Sequence, residues 1–169
     1  MAEALAQSGT SRVVEFGAGT GVLAGQLLDA LPDVDRYAIV EVSASLRAAQ
    51  RSALARFGDR VGWLDAWPDA IEGVVDGNEV LDAMPVDLVH RAAEGWSERG
   101  VGLGDDGSAF VWRDRPSDLR PPLDPGFPPG ATTELHREAR AFVASLGERL
   151  VRGVALFLDY GFPEAEYYH

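Results

Sequence analysis

The chain has 169 residues, 46% of them hydrophobic and 25% charged, with a net charge of −12 and no cysteine. That length and balance fit one globular domain with a sizeable core. The acidity argues against a nucleic-acid partner, and the lack of thiols excludes disulfides, thiolate metal sites and a cysteine nucleophile. Every basic residue is arginine, so a lysine Schiff base and a P-loop lysine are excluded too. Met1 to Gly9 lacks the basic start and long apolar run of a secretory signal, and no apolar stretch approaches the roughly 20 residues of a membrane span. A soluble, cytoplasmic protein is the expectation, with no membrane partner.

The first element is a strand over 12–16, with Val13, Val14 and Phe16 apolar. A glycine-rich turn follows, then a helix over 21–31 that Pro32 stops. A second strand runs from Arg36 to Glu41. Ser43 is a good N-cap for a helix to about Phe57, closed by Gly58. Short strands follow at 61–64 and 73–77. This β-α-β-α-β-β order predicts an α/β fold with a doubly wound parallel sheet. Segments 86–93, 96–103 and 108–112 read as an antiparallel meander inserted over 86–113. Residues 114–131 hold six prolines and two glycines and read as an extended loop. A helix is predicted from Thr133 to about Arg152, with Leu135, Ala139, Phe142, Val143, Leu146 and Leu150 on one face. The apolar run 154–158 is a fifth parallel strand. All of 1–169 is read as a single domain.

In an open parallel sheet, ligands bind outside the carboxyl ends of the strands where strand order reverses. Acidic residues cluster at those predicted ends: Glu15, Glu41, Asp65, Glu79 and Asp159. Glu15 leads into Gly17, Gly19 and Gly21. A dinucleotide fingerprint needs its third small residue where Val22 stands, so a pyrophosphate turn fits poorly. Glu41 lies 20 residues after Gly21, where a second-strand acid meets ribose hydroxyls. It indicates an adenosine ligand without saying which. Asp65 is read either as a partner of the adenine amino group or as a cap or turn before Trp67-Pro68. Asn78, the single asparagine, begins a second landmark that runs to Val86 and includes Glu79 and Asp82. The histidines at 90, 136 and 169 do not form a metal set, and no metal is expected. The four tryptophans are read as packing residues.

The form E-x-G-x-G-x-G at Glu15–Gly21 resembles the first motif of class I S-adenosylmethionine methyltransferases. Three further patterns follow in order: I-V-E-x-S-x-x-L-R-x-x-Q at Ile39–Gln50, G-N-E-x-L-D-A-x-P-V at Gly77–Val86, and L-D-Y-G-F with E-Y-Y-H within Leu158–His169. Together they resemble the MidA-like methyltransferases, whose mitochondrial members include a complex I assembly factor that methylates a protein arginine. The resemblance implies a class I, Rossmann-like methyltransferase fold and S-adenosyl-L-methionine (SAM) as cofactor. It implies an arginine of a partner protein as acceptor. Glu15, Gly17, Gly19, Gly21 and Glu41 match the cofactor-binding positions, with Asp65 a further candidate. Asn78, Glu79 and Asp82 match the segment near the acceptor and are the catalytic candidates. Glu79 and Asp82 would orient a guanidinium; their alternative role is to serve the N-terminus of a following helix. Tyr160, Tyr167 and Tyr168 are candidates to cover the cofactor.

Family members carry a segment before the glycine motif and more chain after the D-Y-G strand. This sequence is therefore expected to be truncated at both ends, with the sixth and seventh strands missing. Self-association, or a loop shielding the fifth strand, is the corresponding expectation. A mitochondrial matrix location is the alternative if the source is eukaryotic. Two other functional classes stay open: a non-catalytic interaction or assembly module on the same fold, and a nucleotide-dependent oxidoreductase.

Overall fold

The computed structural model describes residues 1–122 and 126–163. These form two compact units, one of residues 1–83 and 143–160, the other from residue 84 to 142 with the segment that begins at Gly161.

The first unit is built on a five-stranded parallel sheet. Its elements are α1 (Ala2–Ser8), β1 (Arg12–Phe16), α2 (Val22–Ala30), β2 (Arg36–Val40), α3 (Ala44–Leu54), β3 (Val61–Leu64) and β4 (Ile71–Asn78). The last strand of this sheet comes late in the chain, at Leu150–Leu158. The order is β3-β2-β1-β4 followed by that late strand, with every pairing parallel. Strand order reverses between β1 and β4, so the crevice that parallel sheets use for ligands opens at Phe16 and Gly77, which are register partners. Val13, Ala24, Leu28, Tyr37, Ile39 and Leu54 form the core between β1, β2 and the two helices. Burial on both faces explains why these strands read as continuous apolar runs.

The second unit is antiparallel. It comprises β5 (Asp87–Ala92), β6 (Gly95–Leu103), β7 (Phe110–Pro116) and β8 (Thr132–Leu135), in the order β7-β6-β5-β8. Its buried centre is Val89, Trp96 and Phe127, with the two rings edge to face at 5.3 Å. The helix α4 (Arg137–Arg149) follows, and β9 (Leu150–Leu158) returns to the parallel sheet.

The α/β class, the parallel sheet and the meander follow the expectation from sequence. Several elements differ: α1 has no counterpart in the sequence reading, β4 runs Ile71–Asn78 rather than 73–77, and β7 runs Phe110–Pro116 rather than 108–112, into the segment read as an extended loop. The helix expected from Thr133 instead starts at Arg137, because Thr132 to Leu135 pair with His90 to Asp87. Two adjacent β-branched residues favour that state, and the pairing partner lies over 40 residues away. At the other end, Leu150 to Arg152 belong to β9, which pairs with β4 from Ile71 onward. The second long helix ends at Leu54 and continues as a 3-10 stretch to Arg60, broken at Gly58 with φ +56°. Residues 79–86 are not helical, and Glu79 has φ +52°. Glu79 and Asp82 therefore do not start a helix, and that alternative role is excluded. Tyr167, Tyr168 and His169 lie outside the described residues.

Candidate functional site

The glycine turn sits at the carboxyl end of β1. Gly17, Gly19 and Gly21 all have positive φ, at 67°, 54° and 84°. The Gly21 amide closes the turn on the Ala18 carbonyl at 2.8 Å, and α2 starts at Val22. A side chain at Gly21 would press on Leu54 and Gln50, and one at Gly17 would meet Val80 at 3.1 Å. At Gly19 it would meet no described atom within 4 Å. The middle glycine thus faces open space while its neighbours face protein.

Glu15 lies directly below this turn, and its side chain is buried. The Tyr37 hydroxyl donates to its Oε2 at 2.9 Å. Burial pushes the Glu15 carboxyl up to about 7; the Tyr37 bond opposes this, and neighbouring Asp76 adds to it. Asp76 is the register partner of Glu15 on β4 and is also raised, by burial first. Tyr37 is raised by burial and by Glu15. Glu15 is therefore a buried residue bonded within the sheet, where the charged form is disfavoured.

Glu41 follows β2 and is the anchor of a small network. Its Oε1 accepts from the Ser43 amide at 2.8 Å, and its Oε2 accepts from Gln50 Nε2 at 3.1 Å. The same Gln50 Nε2 donates to the Gly19 carbonyl at 2.8 Å, while Gln50 Oε1 accepts from Trp63 Nε1 at 2.9 Å. Arg47 reaches past Glu41 to its main-chain carbonyl (2.9 Å), to the Leu64 carbonyl (2.6 Å) and to Asp65 (2.6 Å). Ser43 caps α3 by accepting from the Leu46 amide, which starts the helix where Arg47 and Gln50 can reach both strand ends. Val42 stands beside Glu41 with 96% of its surface exposed.

Asp65 is brought to the same sheet edge, but its carboxylate pairs with Arg47 and is largely exposed. Its backbone lies in the bend that precedes Trp67-Pro68.

Asn78 is the exposed last residue of β4, and Glu79 and Asp82 follow it on an exposed loop. The Glu79 amide donates to the Leu158 carbonyl at 2.8 Å. Asp159 Oδ2 accepts from the amides of Leu81 and Asp82 at 3.0 and 3.2 Å. Tyr160 hydrogen-bonds Asp82, which raises the phenol above its usual range, with Glu79 and Asp159 adding to the effect. Val80 packs against both Gly17 and Gly77, so this loop and the glycine turn share a wall. A left-handed, non-glycine residue held between two strand ends is a local strain of the kind that persists where surrounding bonds fix it.

Arg47, Gln50 and Trp63 carry much of this geometry; from sequence Trp63 reads as packing, and Arg47 and Gln50 are positions of the Ile39–Gln50 motif without a role. A signal existed for Gln50: it falls on the stripe Leu46, Gln50, Leu54 that the helical period turns inward. A polar residue there needs partners. Among the described residues, no group of three or more His, Asp or Glu could hold a metal ion, and no helix is long and apolar enough to cross a membrane.

A family model described as "Putative S-adenosyl-L-methionine-dependent methyltransferase" matches residues 1–169. The curated "Protein arginine methyltransferase NDUFAF7 homolog, mitochondrial" of Caenorhabditis elegans is 27% identical over 188 residues, covering 90% of this chain and 43% of that protein. A native crystal structure of an uncharacterized protein from Burkholderia thailandensis aligns with TM-score 0.87 and 51% identity, over 99% of this chain and 48% of that one. A superfamily member from the same organism, bound to S-adenosyl-homocysteine, aligns with TM-score 0.88 and 52% identity, over 99% and 46%. The chain thus spans about half the length of the relatives it matches.

Proposed function

The chain belongs to the S-adenosyl-L-methionine-dependent methyltransferase family, and from that premise we propose that its glycine turn and Glu41 bind SAM for transfer of the methyl group to an arginine of a partner protein. The observation that carries the cofactor reading is the open space at Gly19 beside the fixed Glu41 carboxylate. Each Glu41 oxygen accepts one described donor, which leaves lone pairs for ribose hydroxyls. Exposed Val42 next to it supplies an apolar surface for the base. The turn Gly17–Gly21 has no basic residue, which fits a ligand with a sulfonium and no phosphate. A relative 52% identical to this chain was crystallised with S-adenosyl-homocysteine.

When bound, SAM supplies an electrophilic methyl group on a positively charged sulfur. The chain's own residues position the two reactants. The glycine turn lets backbone approach the ligand closely, and Glu41 fixes the sugar. Glu79 and Asp82 lie on the loop that shares Val80 with the glycine turn. Their carboxylates orient a guanidinium by charge-assisted bonds and favour its lone pair on the attacking nitrogen. Asn78, at the end of β4, is the remaining polar group of that edge. The arginine acceptor is supported by the acidic loop and by the name of the Caenorhabditis elegans relative. The protein is expected to carry this out without a nucleic-acid or membrane partner.

Calorimetric titration tests the cofactor. S-adenosyl-homocysteine should bind at one site and NAD should not; equal binding, or none with S-adenosyl-homocysteine, overturns the reading. Gly19→Val should abolish the binding, since it fills the open space and forces a β-branched residue to positive φ. Isotope-labelled SAM tests the acceptor. Labelled lysate protein, hydrolysed to amino acids, should yield methylarginine, and methyl groups on other residues instead would overturn that part. Glu79→Gln should slow transfer by about 2–4 kcal/mol in the barrier, by analogy with other preorganised electrostatic sites, and leave cofactor affinity unchanged.

A further inference from the structure

We propose that Gln50 is a positioning residue of the cofactor site: its buried amide holds Glu41 and the Gly17–Gly21 turn as one rigid unit, with Trp63 setting which way the amide points. The inference rests on the cofactor reading above and adds the part of the chain that builds the site.

Gln50 is fully buried, and a buried amide is tolerated when its groups are bonded. Its two N–H donors are matched to two acceptors on different elements, the Gly19 carbonyl at 2.8 Å and Glu41 Oε2 at 3.1 Å. Its oxygen is matched to Trp63 Nε1 at 2.9 Å. An indole N–H can only donate, while a carbonyl and a carboxylate can only accept. The amide therefore has one orientation that satisfies all three partners. Flipped, it would set N–H against N–H at Trp63 and oxygen against oxygen at Glu41 and Gly19. Gln50 also packs its backbone and Cγ against Gly21, so it contacts the turn at two of its glycines. Glu41 and Gly19 sit on separate loops, and among the described residues Gln50 is the side chain that bonds to both.

The charged groups around this amide are few. Glu41 is its partner. Arg47 on the same helix is bonded to the Glu41 and Leu64 carbonyls and to Asp65. Arg51 stacks over the Trp63 ring at 5.2 Å. Replacing the amide by a carboxyl therefore places a second acid against Glu41 and a carbonyl, with no basic group bonded to it.

The test is titration of the whole chain with S-adenosyl-homocysteine between pH 6 and 8.5, for the parent, Gln50→Glu and Trp63→Phe, each checked for folding by circular dichroism. Gln50→Glu has at most one proton to give where the amide gives two, so the Gly19 bond is lost and the Glu41 bond persists only while a proton sits between the two carboxyl groups. Its affinity should fall at least about tenfold relative to the parent as pH rises through this range. Trp63→Phe keeps an aromatic ring at the position, removes the pyrrole ring with its N–H and frees the amide to flip; affinity should drop about three- to tenfold. Removing the ligand's ribose 2′-hydroxyl should then cost this variant less than it costs the parent, because Glu41 no longer holds its place. Parallel pH profiles for parent and Gln50→Glu overturn the proposal. So does an undiminished 2′-hydroxyl effect in Trp63→Phe, which decides the matter if Gln50→Glu does not fold. A parent chain that does not bind S-adenosyl-homocysteine at all overturns the cofactor reading first.

Discussion

The backbone-fixing polar side chains of the parallel unit contrast with the surface ion pairs of the antiparallel one. In the parallel unit, polar side chains beside the strand ends bond to backbone and to one another across elements. Gln50 ties Gly19, Glu41 and Trp63; Arg47 ties the ends of β2 and β3; Asp159 ties the loop after β4. In the antiparallel unit, Arg99–Asp114 and Arg115–Glu98 pair side chain to side chain across strands, and Arg113 on β7 pairs with Asp105 in the turn before it. Its β7 is exposed along its full length, and Val101, Leu103, Phe110 and Trp112 are exposed apolar residues of its hairpin. Polar groups that fix backbone define a geometry. Polar groups that pair at a surface contribute little to it.

The largest expected contrast comes from glycines. Gly153 has φ +139°, and a Cβ there would overlap the carbonyl oxygen of Gly73 on the neighbouring strand. Gly153→Ala should cost about 3–5 kcal/mol of stability, since the paired backbone of the neighbouring strand cannot yield to a Cβ placed on its carbonyl. Gly100 on β6 has only a distant neighbour, the Arg113 carbonyl at 4.0 Å. Gly100→Ala should stay within about 0.5 kcal/mol. Denaturant unfolding of both variants checks this, and similar midpoints would break the comparison.

The next effect is one of pH. The Glu15 carboxyl is raised from 4.5 to about 7 in the folded chain. A group raised on folding contributes stability that is full below its unfolded value and lost as pH rises through the folded one. The free energy of unfolding should therefore fall by about 2–3 kcal/mol from pH 5 to pH 8. Glu15→Gln, which can still accept from Tyr37, should flatten that slope. An unchanged slope would place the titration elsewhere.

A smaller effect separates two arginines. Arg47→Met removes bonds to two carbonyls and a carboxylate and should cost about 2 kcal/mol. Arg99→Met removes a forked pair to Asp114, both bonds 2.7 Å, and should cost less than about 1 kcal/mol. Thermal unfolding of the two variants orders them, and the reverse order would sink the distinction. The smallest effect is at Asp105, an almost fully exposed partner of Arg113. Asp105→Asn should leave the melting temperature unchanged within error.

Much of the molecule was legible in its sequence. Apolar runs bounded by glycine and proline located β1, β2 and β3 to within a residue. Ser43 marked the start of α3, and the glycine spacing marked the turn, because these signals are local and depend on backbone conformation. The acids at strand ends were visible by position. Their environments were not. Glu15 and Glu41 look alike in sequence, yet one is bonded to Tyr37 within the sheet and the other stands at the sheet edge held by Ser43 and Gln50. Asp65 belongs to Arg47 because a helix 18 residues earlier in the chain brings the guanidinium to it.

What the sequence determined by itself was the alternation of strands and helices, the parallel class of the sheet, and the glycine turn with its flanking acids. Each follows from the chemistry of neighbours along the chain. Tertiary structure alone decided that Thr132 to Leu135 form a strand, that Glu79 takes a left-handed conformation, and that Gln50 joins Gly19 to Glu41. Each of these depends on a partner distant in sequence, β5 for the first, Leu158 and Asp159 for the second, and two strand ends for the third. Local preference is worth a few tenths of a kcal/mol per residue, on the order of one for glycine. A ladder of backbone bonds, or a buried amide that must find its partners, outweighs it.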